Sequence, residues 1–147
     1  MAACVALLAV GCASSKSYNQ VSAQFPQIPA GQGRIVVFRG NEFTGSAQRD
    51  AVWLNGDKIG SLEPNSFFYL DRPAGDYAIS GAAAGFLQIK IRDVPLNISL
   101  NAGEIKYVRI RQKSGVAAVG FSSFNTSLED PDAAMQVLPK CLYAGEK

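Results

Sequence analysis

Residues 51–62 read AVWLNGDKIGSL, and this stretch decides the fold class of the chain. Its two runs of strand-forming residues flank Asn55-Gly56, a pair in which both residues tolerate a positive φ. Asn-Gly between two such runs is the strongest short-range signal for a β-hairpin. The stretch therefore predicts two antiparallel strands joined by a two-residue turn.

Upstream of this hairpin, residues 34–39 (RIVVFR) predict a first strand. β-Branched and aromatic residues fill the run, and Gly33 and Gly40 bound it. A short apolar run of this kind is typical of a strand buried on both faces, so we expect it at the centre of a sheet.

Downstream, a second hairpin is predicted around Pro73-Ala74-Gly75. The run SFFYLD at residues 66–71 leads into this turn, and DYAIS at residues 76–80 leads out of it. Pro and Gly are the residues that such turns favour, so we expect the two runs to pair.

A third hairpin is predicted around Asn101-Ala102-Gly103. Apolar residues alternate over residues 94–100, as in a half-buried strand, and residues 104–111 form the run that follows the turn. Residues 116–121 are predicted to add a last strand. Short strands with turns between them predict a mainly β fold, a single antiparallel β-sandwich over residues 33–147.

A helix is predicted only near the C-terminal end. Asp130 can cap it, Pro131 suits the first helical position, and residues 133–138 supply about two turns. We expect this short C-terminal helix to cover an open end of the sandwich.

The composition narrows the range of functions. The 147 residues are 48% hydrophobic with a net charge of +2, which suits one globular domain and gives no basic stripe for nucleic acid. The chain contains no histidine, which excludes Ser-His-Asp and Cys-His catalysis and histidine metal sites. We expect no cofactor and no metal.

The N-terminal residues are interpreted as a targeting signal. The run MAACVALLAV is shorter than the about 20 residues that cross a bilayer, but it suits the apolar part of a signal peptide, here residues 1–11. Ala9-Val10-Gly11-Cys12 resembles the bacterial lipobox, which implies acylation of Cys12 as the mature first residue, and Ala13 then implies sorting to the outer membrane. The alternative is an ordinary buried segment with a core cysteine.

Residues 12–32 are predicted to be a flexible linker after the acylated cysteine. Ser, Ala, Gln and Asn dominate its composition, and a coil of this length spans roughly 25 Å. Docking of Phe25 or Ile28 on the domain edge is the alternative. Of the other cysteines, Cys4 would leave with the signal peptide, and Cys141 is expected to be buried and inert.

Four motifs in order carry a family resemblance: RIVVFRG, AVWLNGDKIGSLEPNSFFYLDRPAGDY, LNAGEIKYVRI and DPDAAMQVL. Together they resemble a family of small bacterial lipoproteins described as a domain of unknown function, distantly similar to PEGA-type β-sandwich modules. The resemblance covers about residues 34–142. It implies a β-sandwich lipoprotein of the cell envelope, and it implies no catalytic residue.

Two sets of side chains are candidates for a contact surface. Phe67 and Tyr69 lie on the aromatic strand, where they could bind a partner or a small ligand; core packing or cover by the C-terminal segment is the alternative. Arg109 and Arg111 share one face of a strand with Lys113, where they could meet anionic lipid or peptidoglycan carboxylates. An ordinary solvated face is the alternative there.

The carboxylates offer no spacing that selects a catalytic pair. Asp71 and Asp76 flank a turn, where Asp is favoured for local hydrogen bonding. Glu129, Asp130 and Asp132 lack the ligand loop of a calcium site, and capping explains acids at a helix start.

These observations favour a non-enzymatic, lipid-anchored module of the bacterial envelope, facing the periplasm and binding an envelope protein or peptidoglycan. Two alternatives stay open. One is a cell-wall glycan hydrolase that works with carboxylates alone. The other is a module that binds a small ligand or an inhibitor.

Overall fold

The computed structural model describes residues 15–41, 49–83, 94–113 and 123–145. Most of these residues are in β-strands, which belong to two sheets. The strands within the described ranges are β1 (Gln32–Arg39), β2 (Asp50–Leu54), β3 (Asp57–Leu62), β4 (Ser66–Pro73), β5 (Gly75–Ala83), β6 (Leu96–Leu100), β7 (Ile105–Lys113), β8 (Ser123–Glu129) and β9 (Leu142–Tyr143).

The two sheets confirm the predicted mainly β, sandwich-like fold. One has the strand order β8-β7-β1-β4-β9 and the other has the order β3-β2-β5-β6. The first sheet differs from the prediction in one respect, because β1 runs parallel to β7 and β4 runs parallel to β9. The remaining strand pairs are antiparallel in the described chain.

Strand β1 lies at the centre of the five-stranded sheet, as predicted. Ile35 and Val37 point into the main core between the sheets, whereas Val36 and Phe38 point to the outer face. All four side chains are 0% exposed, so both faces of the strand are covered. This explains why the apolar run is continuous rather than alternating.

The hairpin at Asn55-Gly56 is confirmed. Asn55 has a φ of 49° and Gly56 a φ of 90°, the left-handed conformations that a two-residue turn of this type needs. The turn is tied to the neighbouring strand β5, because the backbone N–H of Ala78 donates to the Asn55 Oδ1 at 2.8 Å.

The other two predicted hairpins are wrong, because their strands lie in different sheets. Strand β4 has β1 and β9 as its neighbours, and β5 has β2 and β6, so the chain crosses between sheets at Ala74. The same crossing occurs between β6 and β7. Both crossings are fastened to the start of β1: Ala74 N–H donates to Gly31 O at 2.9 Å, and Gly103 N–H donates to Gln32 O at 2.8 Å.

Strand β8, one of the two outer strands of the five-stranded sheet, was not predicted. The predicted strand over residues 116–121 lies outside the described residues, and β8 follows it. Strand β8 buries Phe124, which is 4% exposed, against the main core. Its neighbour on the same face, Thr126, accepts a hydrogen bond from Gly81 N–H at 3.2 Å and so links the two sheets.

The predicted C-terminal helix is present as α2 (Pro131–Met135), followed by a 3₁₀ turn over Leu138–Lys140. The Asp130 side chain caps it as predicted, accepting from Ala133 N–H at 2.9 Å. The helix covers the outer face of the five-stranded sheet rather than an open end of the sandwich. Ala134 and Leu138 pack there in a second apolar cluster.

Candidate functional site

Residues 15–31, here called the strap, are bound to the domain. The strap begins with backbone hydrogen bonds to the edge of the five-stranded sheet, where Tyr143 N–H donates to Lys16 O at 2.8 Å and Tyr18 N–H donates to Cys141 O at 3.0 Å. Ser17 also forms a β-bridge with Leu142. The described part of the segment predicted to be a flexible linker over residues 12–32 is therefore bound to the domain.

A short helix, α1 (Tyr18–Ser22), follows this edge contact. Its first turn is closed by a capping box, in which Ser17 N–H donates to the Gln20 Oε1 at 2.9 Å and the Ser17 Oγ accepts from Gln20 N–H at 3.4 Å. This arrangement satisfies backbone donors that the start of a helix otherwise leaves without partners. The Ser-x-x-Gln spacing was the sequence signal that could have revealed the helix.

The strap and the C-terminal segment cover the predicted aromatic contact surface. Phe67 is 0% exposed, and its ring lies 5.1 Å from that of Tyr18 and 5.5 Å from that of Tyr143. Tyr69 is half-buried, with its ring 4.5 Å from that of Phe25. Cover by the C-terminal segment, the alternative weighed above, is present through Tyr143, and Tyr18 and Phe25 of the strap add cover that this alternative did not include.

Arg34 fastens the strap to the sheet. Its guanidinium makes a two-pronged ion pair with Asp71, at 2.7 and 2.8 Å, and donates to Pro26 O of the strap at 2.9 Å. The guanidinium carbon also contacts two neighbouring rings, 4.7 Å from the centre of Phe25 and 4.8 Å from the centre of Tyr69. The hydrogen bond to Asp71 raises the pKa of Arg34 although burial opposes it, so this cation stays charged.

The predicted cationic face on β7 is partly neutralised within the protein. Arg111 pairs with Glu129 at 2.9 Å and donates to the Ser127 Oγ at 2.8 Å. The Ser127 hydroxyl in turn donates to the Glu129 carboxylate at 2.7 Å. Arg109 is half-buried on the same face. The side chain of Lys113 lies outside the described part of the chain.

Several carboxylates of the described chain are held by neighbouring donors. Asp76 accepts a short hydrogen bond from Ser99, and Glu104 pairs with Lys106 at 2.8 Å. The hydrogen bond from Lys106, followed by that from the Asn101 backbone, lowers the pKa of Glu104. Among the described residues no three His, Cys, Asp or Glu side chains form a group that could hold a metal ion.

A fully buried ion pair joins the two sheets. Arg39, at the end of β1, lies 2.7 Å from Asp50, at the start of β2, and both side chains are 0% exposed. Gln112 of β7 contributes its Oε1 at 3.4 Å from the Arg39 guanidinium. Sequence analysis missed this pair, although Arg39 continues the inward-facing register of Ile35 and Val37 and so could have been expected inside.

A groove of about 540 Å³ lies between β3 and β9, the outer strands of the two sheets on one side of the sandwich. Polar side chains and turn backbone form most of its wall. Ser15, the first described residue of the strap, stands at this groove. The described residues that line it are Ser15, Arg49, Lys58, Gly60, Ser61, Glu63, Pro64, Asn65, Ser66, Leu142, Tyr143, Ala144 and Gly145.

Residues 29–123 match the family described as protein of unknown function, DUF2846. The chain belongs to the DUF2846 family. The match begins within the strap and ends at the first residue of β8, so it includes Arg34, Arg39 and Asp50. It leaves out the C-terminal segment that covers the outer face of the five-stranded sheet.

A relative of this DUF2846 protein occurs in Haemophilus influenzae, where it is described as an uncharacterized protein. The two are 27% identical over 138 residues, which is 91% of this chain and 78% of the relative. No solved structure matches the chain. Within the described ranges, no helix has the length and apolar character needed to cross a membrane.

Proposed function

We propose that this DUF2846 protein is a lipid-anchored, non-enzymatic binding or structural module of the bacterial cell envelope. The anchor is a set of acyl chains on Cys12, which follows the small residues of a lipobox-like Ala9-Val10-Gly11. Two or three acyl chains give effectively permanent attachment to a membrane. The protein would face the periplasm from the outer membrane.

The observation that carries the proposal is the place where the folded domain begins. Lys16, four positions after Cys12, is already bonded to Tyr143 through its backbone. A modified Cys12 would therefore be joined to the domain through a segment that packs on it. This arrangement suits an anchor that fixes the orientation of a module as well as its location at the membrane.

The internal pairing of charged side chains supports a binding or structural role over catalysis. Asp71 is committed to Arg34, and Glu129 is committed to Arg111. A carboxylate whose oxygens are bound by a cation of the same chain is less available to exchange a proton with a substrate.

The glycan-hydrolase alternative has less support from the groove. Among its described lining residues Glu63 is the sole acid, and Arg49 lies 2.6 Å from its carboxylate. Hydrolysis of a glycosidic bond by carboxylates normally needs two of them across a cleft. The groove volume of about 540 Å³ is in the range of small-ligand sites, but such sites are mostly apolar and this wall is mostly polar, so small-ligand binding also has less support.

The test is the intact mass of the protein extracted from its own membrane fraction, beside that of a Cys12→Ser variant. We expect a species that begins at Cys12 and carries added acyl mass, and an unacylated variant that leaves the membrane fraction. A full-length, unmodified wild-type species in the aqueous fraction would refute the proposal.

A further inference from the structure

The tether between the proposed anchor and the domain is short. Lys16 is bonded to strand β9, and four residue steps separate it from Cys12. Even when fully extended, four residues reach at most about 14 Å. The domain therefore cannot stand off from the surface to which Cys12 is attached by the roughly 25 Å that a free linker over residues 12–32 would allow.

The point of attachment lies on one particular side of the sandwich. Lys16 and β9 form one outer edge of the five-stranded sheet, and β3, the outer strand of the four-stranded sheet, lies across the groove on the same side of the sandwich. We call this side the anchor edge. The opposite side of the four-stranded sheet is β6, three strand spacings or about 14 Å away from β3.

We infer that the anchor edge rests on the phospholipid surface that holds the acyl chains of Cys12. The inference rests on the proposed acylation and adds an orientation to it: β3 and β9 face the lipid headgroups, while β6 faces away. The short tether excludes the reverse orientation, because Lys16 would then lie at least four strand spacings, or about 19 Å, from the surface, beyond the reach of four residues.

The side chains of the anchor edge suit an anionic headgroup surface. Lys16 and Lys58 are exposed, and Arg49 is exposed beside Glu63, with which it pairs at 2.6 Å. Asp57 is a second exposed carboxylate of this edge, so three basic side chains against two acidic ones leave a net charge of +1 among these described residues. Juxtamembrane basic residues are attracted to anionic lipid. Leu142, 49% exposed at the groove, adds an apolar side chain that can reach the interface.

Contact with the bilayer would also protect the exposed backbone edge of β3. An outer strand presents backbone donors and acceptors on one side and is a site at which other chains can add. A bilayer surface against β3 would keep extended polypeptides away from it.

Two single-cysteine labels test the orientation in the acylated protein. Lys58→Cys lies on β3, and Asn97→Cys is the matched exposed control on β6. Cys12 would be blocked by its lipid, and Cys141 is 0% exposed, so a thiol-reactive fluorophore is directed to the introduced cysteine.

Each labelled protein is reconstituted in vesicles of phosphatidylethanolamine and phosphatidylglycerol that carry a nitroxide on a fraction of the headgroups. Quenching is expected to be at least about twofold stronger at position 58 than at position 97, because the two strands differ in depth by about 14 Å. Equal or reversed quenching would overturn the inferred orientation.

A linker insertion tests whether the short tether causes the orientation. The intact mass then shows whether a failure concerns the orientation or the acylation itself. Fifteen Gly and Ser residues between Ala13 and Ser14 add a coil of roughly 20 Å and should remove the difference between the two labels. A difference that survives the insertion would overturn the tether as its cause. If the intact mass shows acylation and quenching is equal, the orientation alone fails; if it shows no acylation, both proposals fail.

Discussion

The centre of the Phe25 ring lies 4.7 Å from the guanidinium carbon of Arg34, and this contact joins the strap to the central strand of the five-stranded sheet. The same guanidinium donates to Pro26 O, the next residue of the strap. One buried cation thus holds the strap by a ring and by a backbone carbonyl, while Asp71 balances its charge.

Phe25→Ala is expected to loosen the strap and destabilise the protein by about 1–3 kcal/mol, through loss of the cation–π contact, the ring contact with Tyr69 and the buried area. Urea unfolding measures the loss, and limited proteolysis of residues 15–31 reports release of the strap. Gln27→Ala, an exposed neighbour, is the control and should change neither. Equal proteolysis of the two variants would contradict the role given to Phe25.

Tyr18 makes the stability of the protein depend on pH in the alkaline range. Burial raises its pKa above the ordinary value of about 10, with a further contribution from Tyr107. The folded protein therefore keeps the Tyr18 proton at a pH where the unfolded chain releases it, so the stabilisation is present below about pH 10 and is lost as the pH rises through the folded pKa.

A Tyr18→Phe variant should lack this dependence. Between pH 10 and 12 we expect the unfolding free energy of the wild type to fall more steeply than that of the variant, by about 1.4 kcal/mol per pH unit at most. Denaturant unfolding at several pH values measures the two slopes. Parallel slopes would show that Tyr18 ionises in the folded protein as readily as in the unfolded chain.

Arg39→Ala should be strongly destabilising, because it leaves the Asp50 carboxylate buried without its cation. Breaking such a buried pair typically costs about 3–5 kcal/mol. Arg49→Ala is the matched control, since Arg49 pairs with Glu63 at the surface, where the loss is within about 1 kcal/mol. Chemical denaturation of both variants gives the comparison.

The double variant Arg39→Met/Asp50→Leu removes both charges and restores apolar volume. It should lose less stability than Arg39→Ala alone, since no charge is then left unpaired in the core. A double variant that is less stable than the single one would show that the pair contributes more through its other contacts than through mutual neutralisation.

Cys141 should resist alkylation in the folded protein. Its side chain is 0% exposed, and its Sγ lies 3.5 Å from Arg39 O. Peptide mapping after iodoacetamide treatment should show modification of Cys141 roughly a hundredfold slower than in denaturant, because the reagent must wait for local opening. Comparable rates in both conditions would mean that the C-terminal segment detaches readily.

Local signals predicted the local structure of this fold. Asn55-Gly56 and Asp130-Pro131 act within a few residues, and the structure has the hairpin and the capped helix start where they indicate. The turns at residues 73–75 and 101–103 were also recognised, but a turn signal does not say which sheet the next strand joins. That choice depends on β1, which fastens both crossings through Gly31 and Gln32.

The candidate site was harder to predict, because its contacts join residues far apart in the sequence. The aromatic run at residues 67–69 fits a ligand surface and a covered sheet face equally well, and only the positions of Tyr18 and Tyr143 decide between them. The polar composition of residues 12–32 is typical of a linker, yet backbone bonds to the C-terminal segment, two rings and Arg34 hold its described part on the domain.

The bond between Lys16 and Tyr143 also sets an order of assembly. Ribosomes make the N-terminal residues first, so Tyr143 emerges only after every strand from β1 to β8 has been synthesised. The strap is consequently synthesised before the strands but completes its contacts only after them. Under the export and acylation proposed above, an enzyme that modifies the N-terminal region would meet an accessible chain, and completion of the C-terminal segment would then end that access.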